Sequence, residues 1–178
     1  MGNADVFKVI SGGQTGVDRA GLDTAIDLDL AVGGFCPKGR RAEDGKLPAK
    51  YDFLVEVNSA NYLVRTERNV VESDGTLILA LNRPLTVGTE RTRSLALRHS
   101  KPVMVVVGFD EADNDWMVKQ IHQWLISKDI KVLNIAGSRE SGFPGIQEKA
   151  RLFLTKALAP FVVATSEVRR CSAHGPQA

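Results

Sequence analysis

Phe7-Lys8-Val9-Ile10-Ser11-Gly12-Gly13-Gln14-Thr15-Gly16-Val17-Asp18-Arg19-Ala20 is the stretch on which the fold turns. Its first four residues form a short apolar run that stops at two glycines, the pattern of a buried strand. From Gly16 the period changes. Val17, Leu22, Ala25 and Ile26 share much of one helical face, while Arg19, Asp23 and Asp27 lie largely elsewhere. Thr15 and Asp18 stand at capping-box spacing, which predicts that the helix begins there. A strand therefore passes to a helix through a glycine-rich turn.

The same alternation continues downstream. Residues 33–58 are rich in glycine, proline and charge, and read as a long loop with one short strand over Phe53–Val57. Ser59 is placed to cap a helix that runs to about Val71. Thr76–Leu81 is the clearest buried strand, followed by a loop over 82–88 and a helix from Thr89 to His99. Pro102–Val107 is a further apolar strand. Trp116–Ser127 reads as an amphipathic helix with Met117, Ile121, Trp124 and Leu125 as its stripe. Lys131–Ala136 predicts a strand, and a last helix turns Ile146, Ala150, Phe153, Leu154 and Ala157 inward. Several strands are continuous apolar runs, as expected of a parallel sheet covered by helices on both faces. The expectation is one α/β domain over residues 1–164 and a polar, loose tail over 165–178. Strand order is not readable from the sequence.

The chain has 178 residues, a size that suits one domain. Hydrophobic residues make up 43% and charged residues 25%, ordinary values for a globular protein. A net charge of +2 gives no electrostatic case for nucleic acid or a membrane surface as partner. No apolar run is long enough to span a bilayer, and the first residues lack the basic and apolar regions of a signal peptide. The expected setting is cytoplasmic. Cys36 and Cys171 have no Cys or His neighbours at metal-ligand spacing, so no protein metal site is expected. His99, His122 and His174 are scattered. Spacing supports neither a nucleophile triad nor a carboxylate pair, so no catalytic residue is assigned.

Chemistry concentrates in three turns that join a strand to a helix: Ser11–Gly16, Val87-Gly88-Thr89 and Gly137–Gly145. In a parallel sheet such turns collect at the carboxyl edge of the strands. Helix N-termini there offer unpaired N–H groups and a positive dipole end, and glycine lets backbone approach an anion. The three turns can thus wall one crevice for a phosphate or pyrophosphate. The first is not a P-loop, because no Lys-Ser/Thr pair follows its last glycine, nor does it fit G-x-G-x-x-G. Its plainer alternative is a tight turn whose Thr15 and Asp18 cap the helix.

Lys38, Arg40 and Arg41 make residues 36–45 the densest basic cluster. They either close over an anion with guanidinium forks or form a solvated loop. Cys36 beside them is either an activated thiol or a plain buried one. In the helix ending at Val71, Tyr62, Arg65, Thr66 and Asn69 form a polar face, which meets ligand or simply water. Asn134 lies inside an apolar strand and needs a partner. Glu90 and Glu140 are candidate acids, with helix-terminus electrostatics as the alternative role.

These runs resemble a known family. Ile10–Ala20, Cys36–Gly45, Tyr62 with Arg65-Thr66-Glu67 and Asn69-Val70, Ser73–Leu77, and Arg139–Ser141 with Pro144-Gly145 are similar to the putative molybdenum carrier proteins. The resemblance covers about residues 7–158. It implies a Rossmann-like three-layer α/β sandwich with a mainly parallel sheet, in the lysine-decarboxylase-like (SLOG) superfamily. That superfamily also holds cytokinin-activating phosphoribohydrolases and the plant-type molybdenum cofactor carrier, and this family is permuted relative to them. The implied ligand is molybdenum cofactor (molybdopterin) or another nucleotide-type molecule. The cofactor is a phosphorylated pterin whose own dithiolene sulfurs hold the metal.

By the resemblance, Gly12, Gly13, Gln14, Thr15 and Gly16 form the phosphate turn. Arg139, Glu140 and Ser141 belong to the opposite wall; Arg19, Arg65, Asn69, Thr92 and Gly137 are counted with them as candidate ligand-binding residues. The hydrolase relatives carry Gly-Gly-x-Gly-Thr-x-x-Glu. Here Gly88 and Thr89 match, Val87 precedes them, and Thr92 stands where the glutamate belongs. That departure shifts the expectation toward a non-catalytic carrier. The rival is a nucleotide-processing enzyme, such as an N-glycosidic phosphoribohydrolase working through Glu140 or Glu90. Relatives assemble, so a homo-oligomer, dimer or tetramer, is implied.

Overall fold

The computed structural model describes residues 7–110 and 114–162. The chain runs β1 (Lys8–Ile10), α1 (Val17–Asp27), β2 (Ala31–Gly33), β3 (Phe35–Cys36), β4 (Arg41–Ala42), β5 (Gly45–Lys46) and β6 (Val55–Glu56). It continues through α2 (Tyr62–Val71), β7 (Gly75–Ala80), α3 (Val87–Arg98), β8 (Val103–Val107), α4 (Asp115–Ser127), β9 (Val132–Gly137) and α5 (Ile146–Leu158). Five strands form one sheet in the order β2-β1-β9-β7-β8, and every neighbouring pair is parallel. β7 is buried at every position, which explains its unbroken apolar run.

Alternate strand residues supply two different layers. Val9, Leu77, Leu79, Leu133 and Ile135 join Val17 of α1, Ile121 of α4 and Phe153 and Leu154 of α5 in the largest apolar cluster. On the opposite face, Val70 of α2 packs with Leu95 and Ala96 of α3. The connection after β9 thus leads to one face and the connection after its neighbour β7 to the other. Connections that part in this way leave a crevice at the carboxyl edge of the sheet.

The segment over 33–58 is more ordered than its composition predicts. β3 pairs with β6 in parallel, β4 and β5 form an antiparallel hairpin, and a 3₁₀ turn spans Ala49–Tyr51. Leu47, Tyr51 and Leu54 pack with Cys36 and Ala42 onto Leu22 of α1. Two-residue strands are too short to show alternation, and these anchors follow no single period. β2, a sheet strand of three residues, escapes sequence reading for the same reason.

Helix starts also shift. Asn61 rather than Ser59 caps α2, its side chain accepting from Leu63 N–H at 2.9 Å. α3 begins at Val87, capped by Thr86. The predicted Thr15–Asp18 capping box does not form: Gly16 occupies the N-cap of α1 without a side-chain cap. Thr15 and Asp18 take tertiary partners instead. Ile26 is largely exposed whereas Arg19 is buried. The tail over 165–178, with Cys171 and His174, lies outside the described residues.

Candidate functional site

A cavity of about 480 Å³ lies at the crevice, within the usual range for small-molecule sites. Gly12, Gln14 and Asp18 line it from the first turn and the head of α1. Asn61, Tyr62, Leu63, Arg65, Thr66 and Asn69 line it from α2 and its cap. Thr86, Val87, Gly88, Thr89, Arg91 and Thr92 line it from the head of α3. Asn134 to Gly137, Arg139, Ser141 and Gly142 complete it from β9 and the loop beyond.

The first turn is engaged at its α1 end. Gln14 N–H donates to Asp18 Oδ2 at 3.3 Å, and Thr15 N–H to Gln14 Oε1 at 3.1 Å. Gly16 N–H donates to Gln147 Oε1 at 3.3 Å, and Val17 N–H to the Ser138 carbonyl at 3.2 Å. Four successive N–H groups at the head of α1 therefore have protein acceptors. Gly13 packs against Leu47 and Leu54, and Gly16, at φ 80°, sits against the Ser138 carbonyl. Gly13, Thr15, Gly16 and Arg19 stand behind the cavity wall, while Gly12 and Gln14 form part of it.

Gly12 serves a side chain. A Cβ there would run into the Arg65 guanidinium, which lies directly over the turn. Arg65 Nη1 meets Asp18 Oδ2 at 3.0 Å, with side-chain exposures of 10% and 7%. Two buried donors, Arg65 Nε and Gln14 Nε2, have no partner among the described residues. The Arg65 and Arg139 guanidinium groups lie over the Tyr62 ring, 5.9 and 5.5 Å from its centre. Asn69 lines the cavity but spends its amide on Phe35, accepting from its N–H at 2.9 Å and donating to its carbonyl at 3.0 Å. Asn134 finds the partner it needs in Thr76, its neighbour across the β9–β7 ladder, at 3.2 Å.

Two acids, rather than the cations, dock the basic loop. Glu43 accepts from the Thr15 hydroxyl, from Ser141 Oγ at 2.6 Å and from Ser141 N–H at 3.2 Å. Asp44 takes a bidentate pair from Arg19 at 2.6 and 2.8 Å. Burial alone would raise the Glu43 carboxyl, but the Ser141 and Thr15 hydrogen bonds and the Arg139 charge hold it below its ordinary value. The Arg19 hydrogen bonds likewise hold Asp44 low. Arg40 points to the carbonyls of Tyr51 and Leu54 and pairs with Asp52. Lys38, Arg40 and Arg41 are not among the cavity-lining residues. Burial pushes the Cys36 thiol up despite Arg40, so it is a plain buried thiol.

α3 offers the open helix head. Thr86 Oγ1 accepts from Thr89 N–H at 3.3 Å, and Glu90 N–H reaches the Thr86 carbonyl at 2.8 Å. The N–H groups of Val87 and Gly88 have no acceptor among the described residues. A Cβ on Gly88 would meet nothing within 4 Å. Thr92 turns its hydroxyl back to the Gly88 carbonyl at 3.2 Å. Glu90 pairs with Arg93, which holds its carboxyl low, and Glu140 accepts from Gly145 N–H and Gln147 N–H at the head of α5. Neither carboxylate lines the cavity, and helix-terminus electrostatics accounts for both.

Asp18, Asn61, Leu63, Thr86 and Arg91 escaped the sequence reading as site residues. Arg91 lies three residues after Gly88, so helical spacing from that turn would have found it. Ile135 and Ala136 gave no signal, because the end of an apolar strand looks the same whether it meets a cavity or core. Among the described residues, no group of three or more His, Cys, Asp or Glu could hold a metal ion. No described helix is long and apolar enough to cross a membrane.

Comparison with known proteins agrees with this architecture. The chain is similar to a crystal structure, at 1.45 Å resolution, of a protein named "Putative molybdenum carrier protein" from Syntrophus aciditrophicus SB. The two share 41% identity over 87% of this chain and 96% of the other, with a TM-score of 0.82. No curated protein matches. The sequence profile of the circularly permutated YpsA SLOG family matches residues 9–158. With most of its length matched, and with a Rossmann-like parallel sheet beneath the match, the chain belongs to the circularly permutated YpsA SLOG family.

Proposed function

We propose that the protein is a carrier that holds a phosphorylated planar heterocycle of the molybdenum cofactor class in this crevice. The observation that carries the reading is the head of α3. Two N–H groups there lack an acceptor among the described residues, a glycine has open space beside it, and Arg91 lines the same cavity. A helix N-terminus of this kind favours a phosphate group through its N–H donors and its dipole. On this reading the phosphate sits at Val87-Gly88-Thr89 rather than at the first turn, where the N–H groups from Gln14 to Val17 have protein acceptors and the Arg65 guanidinium lies over Gly12. Arg139 and the Tyr62 ring flank the space left for the heterocycle.

The donor set fits such a cargo. Molybdenum cofactor brings its metal on its own dithiolene sulfurs, so the protein need supply no metal ligand. The protein's part is to bind the phosphate, hold the ring and exclude water from one edge of it. The name of the Syntrophus protein supports the class of cargo. A cytoplasmic setting and a homo-oligomer, dimer or tetramer, complete the reading. Light scattering on the purified protein tests the latter, and a monomer at micromolar concentration would remove it.

Titration calorimetry with molybdopterin and with purine nucleotides tests the binding. Gly88→Asp is the informative variant. An acid in the first turn of a helix stabilises it by about 0.3–1 kcal/mol, so the fold is retained while phosphate is repelled. Binding in the wild type that weakens at least tenfold in Gly88→Asp is expected. No binding of any phosphorylated heterocycle refutes the proposal.

A further inference from the structure

We infer that the inner wall of the crevice reads the 2-amino-4-oxo edge that guanine and pterin share, through Asp18, Gln14 and Arg65. This rests on the reading that a phosphorylated heterocycle occupies the crevice, and narrows it to the substitution pattern of the ring.

Gln14 fixes the first part. Its Oε1 accepts from the N–H groups of Thr15 and Glu43, at 3.1 and 2.9 Å. Exchanging the amide oxygen and nitrogen would set a donor against both, so the orientation is determined. Nε2 is then left as a donor. It is buried and has no acceptor among the described residues, although Gln14 itself lines the cavity. Arg65 repeats the situation. Its Nη1 is committed to Asp18, whereas its buried Nε has no acceptor. Buried donors without partners are rare in native folds, and each one carries the cost of its lost hydration. Two on one wall point to an acceptor that arrives with the ligand. A carbonyl oxygen on the ligand is the kind of acceptor that either donor calls for.

Asp18 fixes the second part. Oδ2 takes the bonds from Arg65 Nη1 and Gln14 N–H. Oδ1 takes no bond from a described residue, and Asp18 lines the cavity. A carboxylate oxygen is acceptor-only, so it calls for N–H donors on the ligand. It also opposes a phosphate at this end of the crevice, in keeping with phosphate at α3. Acceptor beside donors complements a ring N–H and amine beside a carbonyl. The lactam edge of guanine or pterin presents that row. Adenine lacks the carbonyl and would turn an unprotonated ring nitrogen toward a carboxylate.

Calorimetric titration of the full-length protein with GMP, IMP, AMP and a phosphorylated 6-hydroxymethylpterin tests the inference. GMP is expected to bind about 10- to 100-fold tighter than AMP, with IMP, which lacks the amine, between them. The pterin arm separates the two sources of the edge. Tighter binding of the pterin assigns the site to pterins, tighter binding of GMP assigns it to guanine nucleotides, and both support the edge. Gln14→Glu keeps an acceptor for the Thr15 and Glu43 N–H groups but replaces the donor by a second oxygen. It should bring the GMP-to-AMP ratio close to one while a melting scan shows the fold intact. Asp18→Asn should act in the same direction, and Gln14→Glu decides alone where Asp18→Asn does not fold. AMP binding as tightly as GMP, or a ratio unchanged in Gln14→Glu, overturns the inference and leaves the carrier reading standing. Failure of every phosphorylated ring to bind overturns both.

Discussion

Arg65→Met removes the counter-charge from a carboxylate whose side chain is only 7% exposed. Removing one partner of a buried ion pair costs about 3–5 kcal/mol, because the other charge stays buried without compensation. Asp18 keeps the Gln14 N–H at 3.3 Å and borders a cavity that admits water, which places the loss near the lower end. A loss of about 3 kcal/mol in a chain of this length lowers the melting temperature by about 6–12 °C. The double variant Asp18→Asn/Arg65→Met carries neither charge, and should recover most of the loss. Urea denaturation of wild type, both single variants and the double gives the coupling energy, expected at about 2 kcal/mol or more for directly contacting groups. Gly12→Ala should mimic Arg65→Met in part, since its methyl group displaces the guanidinium. Single variants within about 0.5 kcal/mol of wild type, the range of ordinary surface changes, would refute the assignment of this pair as a buried support of the turn.

The hairpin that covers the first turn should make the protein acid-sensitive. Glu43 and Asp44 are held below their ordinary values, so the unfolded chain binds more protons as pH drops, and their stabilisation, complete at neutral pH, fades below about pH 4.5. Denaturation against pH should show that slope, reduced in Glu43→Gln and in Asp44→Asn; equal slopes in all three proteins would count against the latch. Gly16→Ala should destabilise by more than about 1 kcal/mol, the usual minimum for a left-handed residue that bears a side chain, because φ is 80° and the Ser138 backbone is in the way. Wild-type stability in that variant would contradict the packing described. Cys36, buried and with its thiol pushed up, should react with a thiol reagent far more slowly in the native protein than after denaturation. Equal rates would show that the site is open.

Sequence periodicity carries far for the sheet and its helices. β7 and β8 are legible because both faces of each strand meet a helix layer or its edge, and so leave a continuous apolar run. α5 is legible because Ile146, Ala150, Phe153, Leu154 and Ala157 meet one core. Position on the sheet is another matter. β9 is last in the chain yet lies between β1 and β7, and no local pattern encodes that insertion. The same limit governs the site. Gly88, Arg65 and Arg139 are visible as residue types, but Asp18 looks like a helix cap until Arg65, 47 positions away, is seen to reach it. Glu43 looks like one acid in a basic loop until Thr15 and Ser141 converge on it. The glycine-rich turn that announces the fold packs closely against its surroundings. Its glycines admit Arg65 and the Ser138 carbonyl, and α3 provides the open helix head.

The central claim is that a phosphate rests at the head of α3. It is tested most directly by calorimetry of the tighter of GMP and the phosphopterin against the same compound without its phosphate, in wild type and in Gly88→Asp. The account predicts that the phosphate strengthens binding at least tenfold in the wild type and contributes almost nothing in Gly88→Asp, with the unphosphorylated compound binding both proteins alike. A phosphate contribution that survives intact in Gly88→Asp would contradict it.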